Sequence, residues 1–394
     1  MSEALLDTYV RLRTTQVNPL EYPTEKFEHY SIPNLDETGN SRVELGSMIE
    51  SGKFLLGGPA VLVSKLNPRK MRVFSFHGSS NQRAVASTEF MVFEARHDAA
   101  VDLGFLAHLL NGETFARRLQ SVATGTTNSH VRVRPNETLR WRVQVPPLEE
   151  QRRIAEILDT IDETIQATER VIAKLWLAHH GVVRAILRDC DDGRRVSLRE
   201  VAEVSGGLSI SSSRPVVDPV EVPYLRVANV QDGFIDTSTM RTVSVSRADI
   251  DRFSVKAGDV LMNEGGDFDK LGRGAVWDGS ISPCLHQNHV FRVRCKLGEM
   301  VPEFLALFCQ SAEGKAYFVK SSKQTTNLAS INKSQLGSLP TLAPSIEAQV
   351  KVVETQRASV SKIEAERFSL SKLSRTRAGL AADLLSGRVR TVAS

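Results

Sequence analysis

The sequence predicts an α+β protein. Two tandem mixed α/β domains are separated and followed by long helices, and these pair as an antiparallel coiled coil with pseudo-two-fold symmetry. Three observations carry this expectation. The second half of the chain repeats the first in a nearly constant register. Each half opens with strand-like and short helical segments. Each half closes on a long amphipathic stretch with the 4-3 spacing of a helix seam.

A shift of 198 places Pro146, Glu149 and Gln151 on Pro344, Glu347 and Gln349. It continues through Glu156 and Glu354, Ile165 and Ile363, Lys174 and Lys372, Leu175 and Leu373, and Gly181 and Gly379. Upstream the shift becomes 199. It matches Val61-Leu62 with Val260-Leu261, Phe105-Leu106-Ala107 with Phe304-Leu305-Ala306, and Thr126-Thr127-Asn128 with Thr325-Thr326-Asn327. One register held across both halves marks a duplication.

The elements follow in order. In residues 1–145, Ala60-Val61-Leu62-Val63 and Phe90-Met91-Val92-Phe93 read as buried strands. Gly57-Gly58-Pro59 reads as a turn. Residues 103–120 read as one helix before Thr126-Thr127-Asn128. Residues 1–20 show no clear copy of Val196-Ser197-Leu198-Arg199-Glu200-Val201-Ala202, which opens the second half.

Residues 146–190 form the central helix. Pro146-Pro147 stops the preceding strand and presets helical φ, and Glu149 and Glu150 suit the positive end of the dipole. Ile154, Leu158, Ile161, Ile165, Ile172, Leu175 and Val182 supply the seam, with Thr168 and His179 as weak points. The helix is expected to run to about Arg188, a rod of ~60 Å. In residues 191–343, Val222 to Val227 and Val290 to Val293 alternate like strands. Gly258-Asp259 and Gly265-Gly266 read as turns, and 302–319 as a helix. Residues 344–390 form the distal helix, with Val352, Ile363, Leu370, Leu373, Leu380 and Leu384 on its seam. Gln356, Ser359 and Glu366 interrupt that stripe.

The chain has 394 residues and a formal charge of +4, a balance too mild to prove a nucleic-acid partner. Hydrophobic residues make up 41%, enough for each half to bury its own core. No run approaches the ~18 apolar residues of a membrane span, and the early acidic residues Glu3 and Asp7 do not fit a signal peptide. Four scattered cysteines make no disulfide framework. A soluble cytoplasmic protein is expected.

Pro146-Pro147-Leu148-Glu149-Glu150-Gln151-Arg152-Arg153-Ile154-Ala155-Glu156-Ile157-Leu158 resembles the start of the central helix of specificity subunits of type I restriction–modification systems. Gly379-Leu380-Ala381-Ala382-Asp383-Leu384-Leu385-Ser386-Gly387-Arg388-Val389 is similar to the end of their distal helix. Tyr30-Ser31-Ile32-Pro33, Ser64-Lys65-Leu66-Asn67-Pro68 and Ser87-Thr88-Glu89-Phe90 resemble one type of target recognition domain. Gly258-Asp259-Val260-Leu261 resembles the start of a strand in others. The likeness spans nearly the whole chain. It implies target recognition domains at 1–145 and 191–343, each reading one half of a split site in double-stranded DNA. It implies long helices that hold two modification (methyltransferase) subunits, with restriction (translocase/nuclease) subunits joining the complex. S-adenosylmethionine, ATP and magnesium would then sit on those partners, with no cofactor and no catalytic residue on this chain.

The residues themselves agree with a non-enzyme. There is no Asn/Asp-Pro-Pro-aromatic tetrapeptide, no glycine-rich cofactor loop and no phosphate-binding loop. Cys284, His286, His289 and Cys295 are metal-capable but lack a zinc spacing, so no metal site is expected. DNA contact needs Lys or Arg for phosphates, and Arg, Asn, Gln, Ser or Thr for base edges. In the first domain the candidates are Ser64, Lys65, Asn67, Arg69, Lys70, Thr126, Thr127, Asn128, His130 and Arg132. In the second they are Asn263, Lys270, Arg273, Gln287, Asn288, His289, Lys323, Gln324, Thr325, Thr326, Asn327 and Lys333. Two other readings stay open on residues alone: a methyltransferase or nuclease with an unrecognised site, or a coiled-coil adaptor that does not bind DNA.

Overall fold

The computed structural model describes residues 2–78, 81–123, 132–189, 194–210, 218–266, 271–324 and 329–391. It divides into two compact units. The first comprises Met1–Arg170 and Arg367–Ser394, the second Val171–Glu366. The cuts fall within the two long helices, Leu148–Asp189 and Ile346–Leu385, so each unit contains half of each.

In the first unit a four-stranded sheet runs in the order Val10–Leu12, Phe90–Ala95, Ala60–Ser64, Val73–Phe76, all antiparallel. A five-stranded sheet runs in the order Gln16–Val17, Lys53–Leu56, Arg83–Ser87, Lys26–Tyr30, Arg42–Leu45. Its pairing of Lys26–Tyr30 with Arg83–Ser87 is parallel. Between the sheets lie Leu62, Ala84, Ala86, Phe90 and Val92. The opposite face of the four-stranded sheet packs Val61, Val63, Met91 and Phe93 against Phe105, Leu110, Ile154, Leu158, Ala381 and Leu384. The C-terminal end of the distal helix is thereby part of the first unit's core.

The second unit repeats this plan. Ala202–Ser205, Val290–Cys295, Val260–Asn263 and Gly274–Val276 form a sheet of the same strand order. Arg241–Val245, Val220–Leu225 and Leu285–His286 form a second sheet, again with one parallel pair. Leu187, at the end of the central helix, joins Val293, Phe304, Phe308, Val352 and Val353 in the core.

Several expectations change at the level of elements. The missing copy at the N-terminus is present in three dimensions. Ser2–Leu5 pairs with Arg142–Val145 as Arg195–Ser197 pairs with Pro340–Leu342. Leu6 and Leu198, fully buried, follow in matching places, and Val10–Leu12 joins its sheet as Ala202–Ser205 joins the other. Each expected single helix is two: Leu103–Asn111 and Glu113–Val122, then Pro302–Gln310 and Ala312–Ser321. Gly112 and Ser311 break them with extended backbone, and the Ser311 hydroxyl caps the next helix at Gly314 N. Gly265–Gly266 is not a turn but a short strand paired with Ala329–Ser330. A Cβ on Gly265 would stand 2.8 Å from the Ala329 carbonyl oxygen, so this close pairing requires glycine. The strand expected through Val227 ends at Leu225, where Arg226 N–H donates to the Asn229 side chain and begins a turn.

The helix seam is also corrected. Val182 is 41% exposed, and the seam passes instead through Val183, Ile186 and Leu187. A helix of 3.6 residues per turn drifts from a strict 3.5 repeat, so the buried stripe moves one position over several turns. His179 is buried and sits 2.6 Å from the Ser359 hydroxyl, its pKa lowered by burial. In the first unit Arg377 makes two 2.9 Å hydrogen bonds to Asp162, and Arg390 pairs with Glu150. As numbers rise along one helix they fall along the other, so the halves in that unit run antiparallel.

One device fastens both helices at their starts. Gln151 is fully buried; its Oε1 accepts from Asp102 N at 2.8 Å, and its Nε2 donates to the carbonyls of Ala100 and Pro146. Gln349, also fully buried, accepts from Val301 N at 2.7 Å and donates to Glu299 and Pro344. The four positions of each clamp correspond under the sequence shifts of 198 and 199. A buried amide is tolerated because its hydrogen-bonding groups are used.

Candidate nucleic-acid interface

The strands Ala60–Ser64 and Val260–Asn263 are buried along their length and lie second from the edge of their sheets. At the end of each, the backbone polar groups need partners. In the first unit Ser64 N donates to Arg72 O at 2.9 Å, Lys65 N to Glu89 O at 3.0 Å, and Val133 N to Lys65 O at 3.1 Å. In the second, Asn263 N donates to Arg273 O at 3.0 Å, Glu264 N to His289 O at 3.0 Å, and Ile331 N to Glu264 O at 2.9 Å. The same three bonds join corresponding positions, so one backbone frame occurs twice.

The side chains on that frame differ. Lys65 stands where the second unit has Glu264, and Glu89 where it has His289. In the first unit Arg132 donates to both oxygens of Glu89 at 3.0 and 3.1 Å, and that carboxylate raises the guanidinium pKa. In the second, His289 Nδ1 lies 2.8 Å from a Glu264 oxygen. Arg72 and Arg273 keep the same residue in both frames. Arg72 donates twice to Asp36 at 2.8 Å, and Lys70 donates to the same carboxylate at 2.8 Å. These cations hold the Asp36 carboxyl well below the usual range. Arg273 donates to Gln231 at 2.9 Å.

The structure brings Ser64, Lys65 and Arg132 together in one unit, and Asn263, Arg273 and His289 in the other. Ser64 and Asn263 are buried and serve the frame. The Ser64 hydroxyl donates to Leu66 O at 3.0 Å, and the Asn263 amide donates to Val227 O at 3.3 Å and Val230 O at 3.0 Å. Asn67, at φ 49°, is half-buried in the left-handed region, where asparagine is favoured. Arg69 and Lys70 are exposed. Gln287 and Asn288 are half-buried, their backbone N–H groups held by Leu225 O and Leu208 O. Lys323 is exposed in the short strand Lys323–Gln324, whose partner Ala329–Ser330 also holds Gly265–Gly266. Lys333 is exposed at the first position of Lys333–Gly337. Thr126, Thr127, Asn128, His130, Lys270, Thr325, Thr326 and Asn327 lie outside the described residues, as do both Thr-Thr-Asn turns.

Arg72, Glu89, Asp36 and Gln231 are not among the sequence candidates, and Glu264 enters only as the neighbour of Asn263 in its loop. Following the repeat through shifts of 200 and 201 would have aligned Glu89 with His289 and Arg72 with Arg273. Among the metal-capable residues, His286 is fully buried with Nδ1 2.7 Å from Val290 O, while His289 faces Glu264. Burial raises the Cys284 thiol to about 12. Among the described residues no group of three or more His, Cys, Asp or Glu side chains could hold a metal ion. No helix among them is long and apolar enough to cross a membrane.

Comparison with known proteins places these features. Residues 21–176 match the family model described as the type I restriction modification DNA specificity domain. The chain is 22% identical over 343 residues to the EcoKI specificity subunit of Escherichia coli K12, covering 77% of this chain and 72% of that one. It is 20% identical over 335 residues to the StySPI specificity subunit of Salmonella potsdam, with the same coverage. A structure from a study of complex assembly and conformational transition of the type I R-M system matches with a TM-score of 0.65 at 20% identity. That match covers 98% of this chain and 97% of the other. The HsdS subunit from Thermoanaerobacter tengcongensis matches with a TM-score of 0.55 at 18% identity, over 98% and 97% of the two chains. These structural likenesses carry the fold.

Proposed function

We propose that this chain is a member of the type I restriction–modification specificity family, and that its two frames each read one half of a bipartite site in double-stranded DNA. The chain is a recognition and assembly subunit and not an enzyme. The observation that carries the reading is the duplicated set of three backbone hydrogen bonds with divergent polar side chains upon it. A shared frame fixes where side chains meet the duplex, and changing the side chains changes which donors and acceptors are read in the groove. Arg72 and Arg273, alike in both frames, suit the sequence-independent phosphates. The positions of Lys65 and Glu264, and of Glu89 and His289, suit base edges, where each good contact contributes about 1–3 kcal/mol of discrimination.

The long helices dock two modification subunits, one for each repeat. S-adenosylmethionine belongs to those subunits, and ATP and magnesium to restriction subunits that join them, all in the cytoplasm. The central helix, about 63 Å long, is of a length to set an unread gap of about one helical turn, ~34 Å. The test is binding and methylation by the full chain, alone and with its modification subunits. The chain alone should transfer no methyl group and cut no DNA. The complex should contain two modification subunits and methylate a split site. Methylation by the chain free of other subunits would end the reading.

A further inference from the structure

Arg132, Lys70 and Arg72 at the first frame, and Arg273 at the second, are already engaged by acceptors of their own unit. Glu89 holds Arg132 at both oxygens, and Asp36 holds Lys70 and Arg72. The arrangements are two-pronged, the same geometry by which a guanidinium grips a phosphate or the O6 and N7 edge of guanine. In the second unit the carboxylate has changed place: Glu264 holds His289. A carboxylate thus sits among the candidate contacts of each frame, at the strand end in one and at the adjoining turn in the other. Neither is needed to close the frame, which is made by backbone groups.

We infer that Glu89, Asp36 and Glu264 are specificity-determining residues that mask the cations of the first frame and the His289 ring of the second until the correct bases are opposite. The inference rests on the DNA-reading role proposed above. On an arbitrary sequence, a phosphate must displace the carboxylate from its partner. The displaced carboxylate is then left beside the negatively charged backbone with nothing to accept from. On the correct site, it accepts from an exocyclic amino group, cytosine N4 or adenine N6, while its former partner takes a phosphate or a guanine edge. Both charges are then satisfied. Masking therefore weakens binding everywhere but weakens it least at the target, which raises the ratio between the two.

The test uses the full chain with its modification subunits, a labelled random-sequence duplex, and a duplex carrying the methylated site mapped in cells. Glu89→Gln keeps shape and an acceptor while removing the charge. It should tighten binding to the random duplex several-fold and steepen its salt dependence by about 0.9 in log–log slope, the value for one additional phosphate contact. Asp36→Asn, which releases two cations, should steepen it by up to about twice that. Affinity for the target should rise less or fall, so discrimination shrinks. Glu264→Gln should shrink discrimination in the half-site read by the second unit alone. If Asp36→Asn unfolds the loop it bridges, Glu89→Gln still decides, because its pair lies at the surface. A wild-type complex that binds its site, with variants whose random-duplex affinity and salt slope are unchanged, overturns the masking role and leaves DNA reading intact. A wild-type complex that binds neither duplex overturns both.

Discussion

Single side chains decide how firmly each frame is held. Gln151 and Gln349 each make three hydrogen bonds from a fully buried amide. Replacing either by Leu keeps the volume but leaves an N–H and two carbonyls without partners. A loss of about 2–3 kcal/mol is expected for each, seen as a lower urea midpoint for the unit concerned. An unchanged midpoint would show that the clamp is ornamental. His286 gives a pH signature. Burial pulls its pKa from 6.5 to about 4, so it stays neutral in the folded unit while the unfolded chain takes up a proton. Its contribution to stability is present above pH 6.5 and is lost as pH falls from there towards 4, on the order of 3 kcal/mol in all. Thermal unfolding of the second unit at pH 7 and pH 5 should show about 2 kcal/mol of that loss, and His286→Gln should reduce it. Side-chain roles were the least legible part of the sequence. Ser64 and Asn263 are ordinary DNA-contacting residue types, yet both turn inward to the frame. Glu89, an acid in a search for cations, lies directly on it. Residue type does not report direction, and only the fold sets where a side chain points.

At the scale of elements the helices were legible because their pattern repeats over many turns. Their ends, Leu148 and Ile346, follow the Pro-containing starts, and Ile154, Leu158 and Ile363 are buried as the spacing requires. The misplacement of Val182 came from applying a strict heptad to a straight helix. Ser359 interrupts the apolar stripe yet is the partner of His179, since a seam can carry polar groups that satisfy one another. The paired halves make a heptad change in one helix alone costly, because Asp162 and Arg377 would be separated. Seven residues inserted in both helices, after Arg170 and after Glu366, should preserve folding and add ~10 Å of helix. The unread gap of the target should lengthen by about three base pairs at ~3.4 Å each, with the bases read unchanged. A shift in the bases read, with the same gap, would show that the helices do not set spacing.

For the whole molecule, the duplication was visible wherever the two copies keep one register, which is to say along the helices and central strands. It failed at the N-terminus. There the copies agree in pairing and burial, Leu6 with Leu198, but share too few residues for a sequence match. It also missed that the ends of the long helices, at Leu187 and Leu384, complete the cores of different units, since no local pattern encodes a partner far along the chain. The central claim is that two copies of one backbone frame, carrying different side chains, read two different halves of one DNA site. Sequencing of methylated bases in cells that express the chain with its partner subunits tests this most directly. The wild-type chain should give a split motif with a fixed unread gap. Exchanging residues 194–343 for the matching segment of a relative should change one half of the motif while the other half and the gap stay the same. A contiguous motif, or an exchange that changes both halves together, would contradict the account.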